Sequence, residues 1–236
     1  VPITVTTITD KLNSPWSLAF LPDGKMLVTE KPGTMRVVDA HGTLSAPISG
    51  VPAVNYGGQV GLLDVALDRQ FGTNHRIFFT FSESVGAANS RIVVARGTLD
   101  EAAGALRDVQ VIFRTKPDLP KSQGANEGGR IAIARDGTLF VTVGDRSQSP
   151  PWTVAQQLDN DLVKIIHITA DGAAPADGGA IRRNDFQFAR HFAGRGAVFA
   201  EEKNLVGDVD EPAAKNHEHH QKHGECFGDT GSFTRA

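Results

Sequence analysis

The densest set of metal-ligating side chains lies near the C-terminal end, where His217, His219, His220 and His223 precede Cys226 in the run HEHHQKHGEC. Imidazole and thiolate both suit Zn²⁺ or Cu²⁺. The HExxH of a zinc hydrolase is nevertheless broken, because Gln221 stands where the second His is needed. No helical period flanks the cluster to orient its ligands, so it reads as an exposed tail that takes up metal adventitiously. His41, His75, His167 and His191 stand alone and read as surface or packing residues. There is no GxSxG elbow, no P-loop and no GxGxxG after a strand, which removes the signals for serine hydrolysis, nucleotide hydrolysis and nicotinamide binding. A lone cysteine permits neither an internal disulfide nor a CxxC pair. Redox chemistry in this chain therefore requires another cofactor.

The elements that must position any site are short strands. With 236 residues, 40% apolar and 22% charged, the chain has the composition of a globular domain with a real core. A formal charge of −3 gives no strong electrostatic footprint for nucleic acid or an anionic membrane. No stretch approaches the roughly 18 apolar residues of a membrane span. Val1 is not an initiator Met followed by a basic and apolar leader, as expected of a processed or trimmed form. The alternation of ITVTTI predicts a strand over residues 3–8, and SLAF, MLVTE and MRVVD predict further strands around turns at Pro22-Asp23-Gly24 and Pro32-Gly33. The arrangement recurs in LLDVALD, a loop through Gly72 and Asn74, RIFFTFSE and RIVVARGTL, and again in RIAIA and TLFVTVGD around Asp136-Gly137. Residues 17–29 (SLAFLPDGKMLVT) and 130–142 (RIAIARDGTLFVT) align with their Asp-Gly pairs in register, an internal repeat.

Meanders repeating at intervals of about 45 to 60 residues are the pattern of propeller blades. A β-sandwich also offers short strands, but its strands rarely repeat in sequence at blade-sized intervals. The predicted fold class is all-β, of the six-bladed β-propeller type, with room in this chain for about four blades. Trp16 and Trp152 read as blade-packing aromatics. After about Gly172 the pattern weakens, and the expected organisation is a propeller domain over 1–211 and a His-rich polar segment over 212–236.

The segments LNSPWSLAFLPDGKMLVTEKPGTMRVV, NYGGQVGLLDVALD, EGGRIAIARDGTLFVTVGDR and LDNDLVKIIHITADG, in that order, carry a resemblance. Together they resemble the soluble aldose sugar dehydrogenases of the glucose/sorbosone dehydrogenase family, six-bladed propellers that use pyrroloquinoline quinone (PQQ) and calcium. The resemblance places a quinone contact at Gln59, whose amide donates to an oxygen without adding charge; its own Gly57-Gly58 context also suits a plain loop. It places the family's general-base His at Asn126 and the orienting carboxylate at Asp145 of Gly144-Asp145-Arg146, a position that equally suits an Asx turn. An amide accepts no proton at neutral pH, so the resemblance implies an impaired proton-accepting step. Glu127 beside it is titratable but faces the other way if the segment is extended. Arg146 has two candidate partners, Asp145 or a cofactor carboxylate. Arg183 and Asn184 match a quinone-binding pair, the guanidinium suiting a carboxylate bidentately. The calcium segment falls on residues 201–209, where Lys203-Asn204 replace a Gly-Pro, and no calcium ligand is assigned.

What the resemblance implies is a quinoprotein oxidoreductase that oxidises the C1 hydroxyl of an aldose to a lactone and passes electrons to an external acceptor, in the periplasm or secreted. Two alternatives belong to other classes: a non-catalytic propeller that binds a ligand or partner, and a calcium-dependent lactone hydrolase, because a fold does not fix a function.

Overall fold

A computed structural model describes residues 3–121, 124–147 and 154–176. Its first sheet is a meander of β1 (Pro15–Phe20), β2 (Met26–Glu30) and β3 (Thr34–Val38), extended by a bridge from Val38 to Leu44. The second runs β4 (Leu62–Leu67), β5 (Arg76–Val85), β6 (Asn89–Asp100) and β7 (Ala105–Arg114), with the short β8 (Leu119–Pro120) also paired to β6. The third contains β9 (Gly128–Ile133), β10 (Leu139–Val143) and β11 (Lys164–Ile168). All neighbouring strands are antiparallel. The predicted all-β class holds, and the described residues supply three meander sheets; the rest of the domain expected over 1–211 lies outside the described residues.

Two predicted elements differ. Residues 3–8 form no strand, and Ile3 and Val5 are exposed: alternation alone gives no strand without a partner edge to pair with. The loop through Gly72 and Asn74 contains a single helical turn, α1 (Phe71–Asn74), pinned by burial of Phe71 and closed by His75 in a left-handed conformation.

The second sheet packs on both of its faces, and β5 contributes to each. Ile77, Phe79 and Phe81 join Leu27, Met35 and Leu62 in a core between the first and second sheets. Phe78, on the opposite face, joins Val94, Ile131, Leu139, Val141 and Ile168 between the second and third. Each such side chain removed from water contributes about 1.5 to 3 kcal/mol.

The internal repeat has a third copy, DVALD…RIFFT over residues 64–80, and all three copies share one hydrogen-bond device. Thr29, Thr80 and Thr142 accept the backbone N–H of Ser17, Asp64 and Arg130 at 3.1, 3.1 and 3.0 Å. Each first strand shifts register with its partner near this place, which is why a side chain replaces the ladder carbonyl. The same hydroxyls link consecutive sheets: Thr29 donates to Leu63 O and Thr80 to Gly129 O, both at 2.6 Å.

Candidate functional site

The equivalent positions 17, 64 and 130 converge where the first strands meet. Ser17 Oγ donates to Asp64 Oδ1, and Arg130 Nη1 donates to the same oxygen at 2.8 Å and to Ser17 Oγ at 3.3 Å. Asp64 Oδ2 accepts the N–H of Ile131 at 2.7 Å. Asp64 is only 2% exposed, so its charge is compensated inside the protein by one guanidinium and two further donors. This knot fixes the start of β9, and immediately before β9 comes the segment that carries the candidate site.

That segment does not run straight. Asn126 has φ 52, and Gly128 and Gly129 have φ 78 and 87, so the chain bends through left-handed conformations on either side of Glu127. A Cβ is excluded at Gly144 for another reason: it would lie 1.7 Å from Asn126 O. The loop after β10 is thereby pressed against Asn126, and Gly144 N–H donates to Glu127 O at 2.9 Å.

Three of the five predicted site residues are brought together. Gln59 Oε1 accepts the backbone N–H of Asn126 at 2.8 Å, which leaves the Gln59 NH₂ as a donor. Asn126 Nδ2 donates to Asp145 Oδ1 at 3.0 Å, leaving Asn126 Oδ1 as an acceptor. Asp145 Oδ1 also accepts Ser147 N–H at 2.9 Å, so the Asx turn and the contact to position 126 coexist. Arg183, Asn184 and the segment 201–209 lie outside the described residues, as do Trp152 and the His-rich segment. Among the described residues no group of three or more His, Cys, Asp or Glu could hold a metal ion.

Arg146 differs from both of its expected pairings. Arg146 pairs with neither Asp145 nor the cavity: it is wholly buried, its Nε lies 2.8 Å from Glu127 Oε1, and its Nη1 and Nη2 donate to Ser90 O and Ser90 Oγ at 2.9 and 2.8 Å. The left-handed turn at Arg146, φ 50, swings it inward, away from Asp145. Glu127, 3% exposed, faces it as a close ion pair whose alignment gives the carboxylate no hydrogen bond. Burial pushes the Glu127 carboxyl above its usual range, with Arg146 pulling against that shift.

Gln59, Asn126 and Glu127 line a cavity of about 350 Å³ together with Trp16, Lys31, Gly128, Arg130 and Thr142. Trp16 is 42% exposed rather than packed between sheets, since β1 turns Ser17 inward and Trp16, Leu18 and Phe20 outward. Lys31, Arg130 and Thr142 were not marked by the sequence reading. Arg130 and Thr142 become visible there once the third repeat copy is aligned; Lys31 has no signal beyond its place in the turn after β2. His167, read as a surface or packing residue, stacks on Phe140 with ring centroids 4.2 Å apart.

A polar cavity where first strands of successive antiparallel meanders meet defines a repeat-built β protein with its site at the loop ends of those strands. Residues 12–199 match the Glucose / Sorbosone dehydrogenase family, and the chain belongs to that family. It is 38% identical over 183 residues to the aldose sugar dehydrogenase YliI of Escherichia coli K12, covering 77% of this chain and 48% of that protein. The apo structure of the soluble aldose sugar dehydrogenase from Escherichia coli matches with a TM-score of 0.68 at 38% identity, over 76% of this chain and 51% of the other. The PQQ-bound aldose sugar dehydrogenase of Streptomyces coelicolor matches with a TM-score of 0.61 at 30% identity, over 73% of this chain and 49% of the other. The chain thus spans about half the length of the relatives it matches.

Proposed function

We propose that this chain is the site-bearing part of a six-bladed quinoprotein that oxidises the C1 hydroxyl of an aldose to a lactone, with PQQ, calcium and an external electron acceptor. The observation that carries the reading is the hydrogen-bonded series Gln59, Asn126, Asp145, collected from three separate loops, with Gln59 and Asn126 lining one cavity. The residues present fit the quinone: a fixed amide donor at Gln59, an exposed indole at Trp16 and a cationic side chain at Lys31 suit a planar molecule bearing carboxylates. PQQ, when bound, supplies the two-electron acceptor that no side chain offers.

The chain's own residues orient the sugar more than they deprotonate it. Asn126 Oδ1 accepts a hydrogen bond from a hydroxyl and holds it, while Asp145 fixes the amide's orientation. The hydroxyl proton leaves to water, because Glu127 is engaged with buried Arg146. This favours a second reading, a quinone-binding propeller with little turnover, and the amide at position 126 is the observation behind it. Titrating the full chain with PQQ and Ca²⁺, then following dye reduction with a panel of aldoses, separates the two. Tight binding with sugar-dependent reduction supports the dehydrogenase, tight binding alone supports the binding module, and acceptor-independent lactone hydrolysis without quinone binding defeats both.

A further inference from the structure

Of the charged side chains that line the cavity, two are neutralised within the protein. Arg130 is paired with Asp64 at 2.8 Å, and Glu127 with Arg146 at 2.8 Å. Lys31 lines the same wall and has no carboxylate partner among the described residues; its Nζ donates to Gly58 O at 2.6 Å. That carbonyl belongs to the residue before Gln59, so the ammonium is held beside the amide already singled out.

The backbone beneath it is fixed. Lys31 N–H donates to Ser14 O at 3.0 Å, and Lys31 O accepts Leu62 N–H at 2.9 Å. Gly61 makes that approach possible, since a Cβ there would lie 2.1 Å from Lys31 O. Pro32 follows and stiffens the turn. A lysine on a mobile loop would spread its charge through solvent, whereas this one is tethered at both ends of its stem. An ammonium has three donor hydrogens, and one bond to a carbonyl leaves two for a ligand.

We infer that Lys31 is a carboxylate-binding residue of this cavity, delivering the uncompensated positive charge that selects an anionic ligand there. The inference rests on the quinone reading only for the ligand's name. The shared chemistry is a carboxylate, carried either by PQQ or by an acidic sugar such as a uronic acid. Gln59 would fix the ligand's neutral oxygen and Lys31 its charge, which together define an orientation.

Full-length protein and the variants Lys31→Gln and Lys31→Glu are titrated with PQQ, with glucuronate and with an uncharged ortho-quinone, at low and high salt. Circular dichroism establishes that the variants fold. Lys31→Gln should weaken the anionic ligand about fivefold at low salt, the scale of one partly exposed charge pair, and Lys31→Glu should weaken it further. The loss should shrink at high salt, and affinity for the uncharged quinone should not move. An effect on PQQ assigns the carboxylate to the cofactor. An effect on glucuronate in a protein that does not bind PQQ upholds Lys31 and overturns the quinone reading. If PQQ binds the parent and both variants alike, and glucuronate does too, the role of Lys31 is overturned while the quinone reading stands. Failure of the parent to bind either anion overturns both.

Discussion

Replacing Asn126 by His tests the candidate constellation directly. Asn126 Nδ2 already donates to Asp145 Oδ1 at 3.0 Å, so an imidazole on the same backbone finds a carboxylate in place for Nδ1–H and keeps Nε2 as a proton acceptor. The backbone offers little resistance, because φ at this position is 52 and His is among the non-glycine types enriched in that region. A positioned general base contributes about 10² to 10⁴ in rate. At about 1.4 kcal/mol per tenfold, this corresponds to roughly 3 to 5 kcal/mol of barrier. In dye reduction by the PQQ-loaded protein, Asn126→His should raise kcat by that factor. Quinone affinity should be nearly unchanged, because Gln59 holds the main-chain N–H of residue 126, at 2.8 Å, and not its side chain. The double variant Asn126→His/Asp145→Asn should lose most of the gain, since the imidazole would no longer be held in the productive tautomer. Parent-like quinone binding with no faster turnover, or a gain that survives loss of Asp145, would refute the reasoning and put the proton acceptor elsewhere.

Three further outcomes are expected. Because burial raises the Glu127 carboxyl, the folded state holds that proton more tightly than the unfolded chain does; this contribution is complete below the usual glutamate range and is lost as pH rises through the folded value, a decline in urea midpoint that Glu127→Gln should flatten. Asp64→Ala removes the acceptor for Ser17, Arg130 and Ile131 N–H at once and should cost about 3 to 5 kcal/mol, measured the same way. Gly144→Ala, whose Cβ would sit 1.7 Å from Asn126 O, should displace the site and weaken PQQ binding about tenfold or more by fluorescence titration.

The strands were legible wherever alternation was bracketed by a turn with a mechanism. Asp-Gly at 23–24 and 136–137 located β1–β2 and β9–β10, and the apolar runs RIFFTF and RIVVA located β5 and β6. The middle repeat copy escaped alignment because α1 replaces the Asp-Gly turn between its strands. Gln59, Asn126 and Asp145 were reached through resemblance, since no spacing rule relates residues on three loops. Arg146 was misread because its nearest carboxylate in sequence is Asp145, whereas its positive φ aims it at Glu127. Trp16 was misread because apolar character alone does not say which face of a strand is covered.

Positions 17, 64 and 130 are the same position in three copies of one pattern, yet they hold a hydroxyl, an acid and a base within hydrogen-bond distance of one another. Three acids or three guanidiniums at that distance would repel, and burial would magnify the repulsion. The copies therefore cannot stay identical where they touch, however faithfully they repeat elsewhere. Duplication yields the scaffold, but a join of this kind requires the duplicates to diverge at their point of contact. A protein rebuilt from one consensus meander would have to place an uncharged residue there, and its sheets would be joined by packing and the repeated threonine hydroxyls, without a buried charge pair between them.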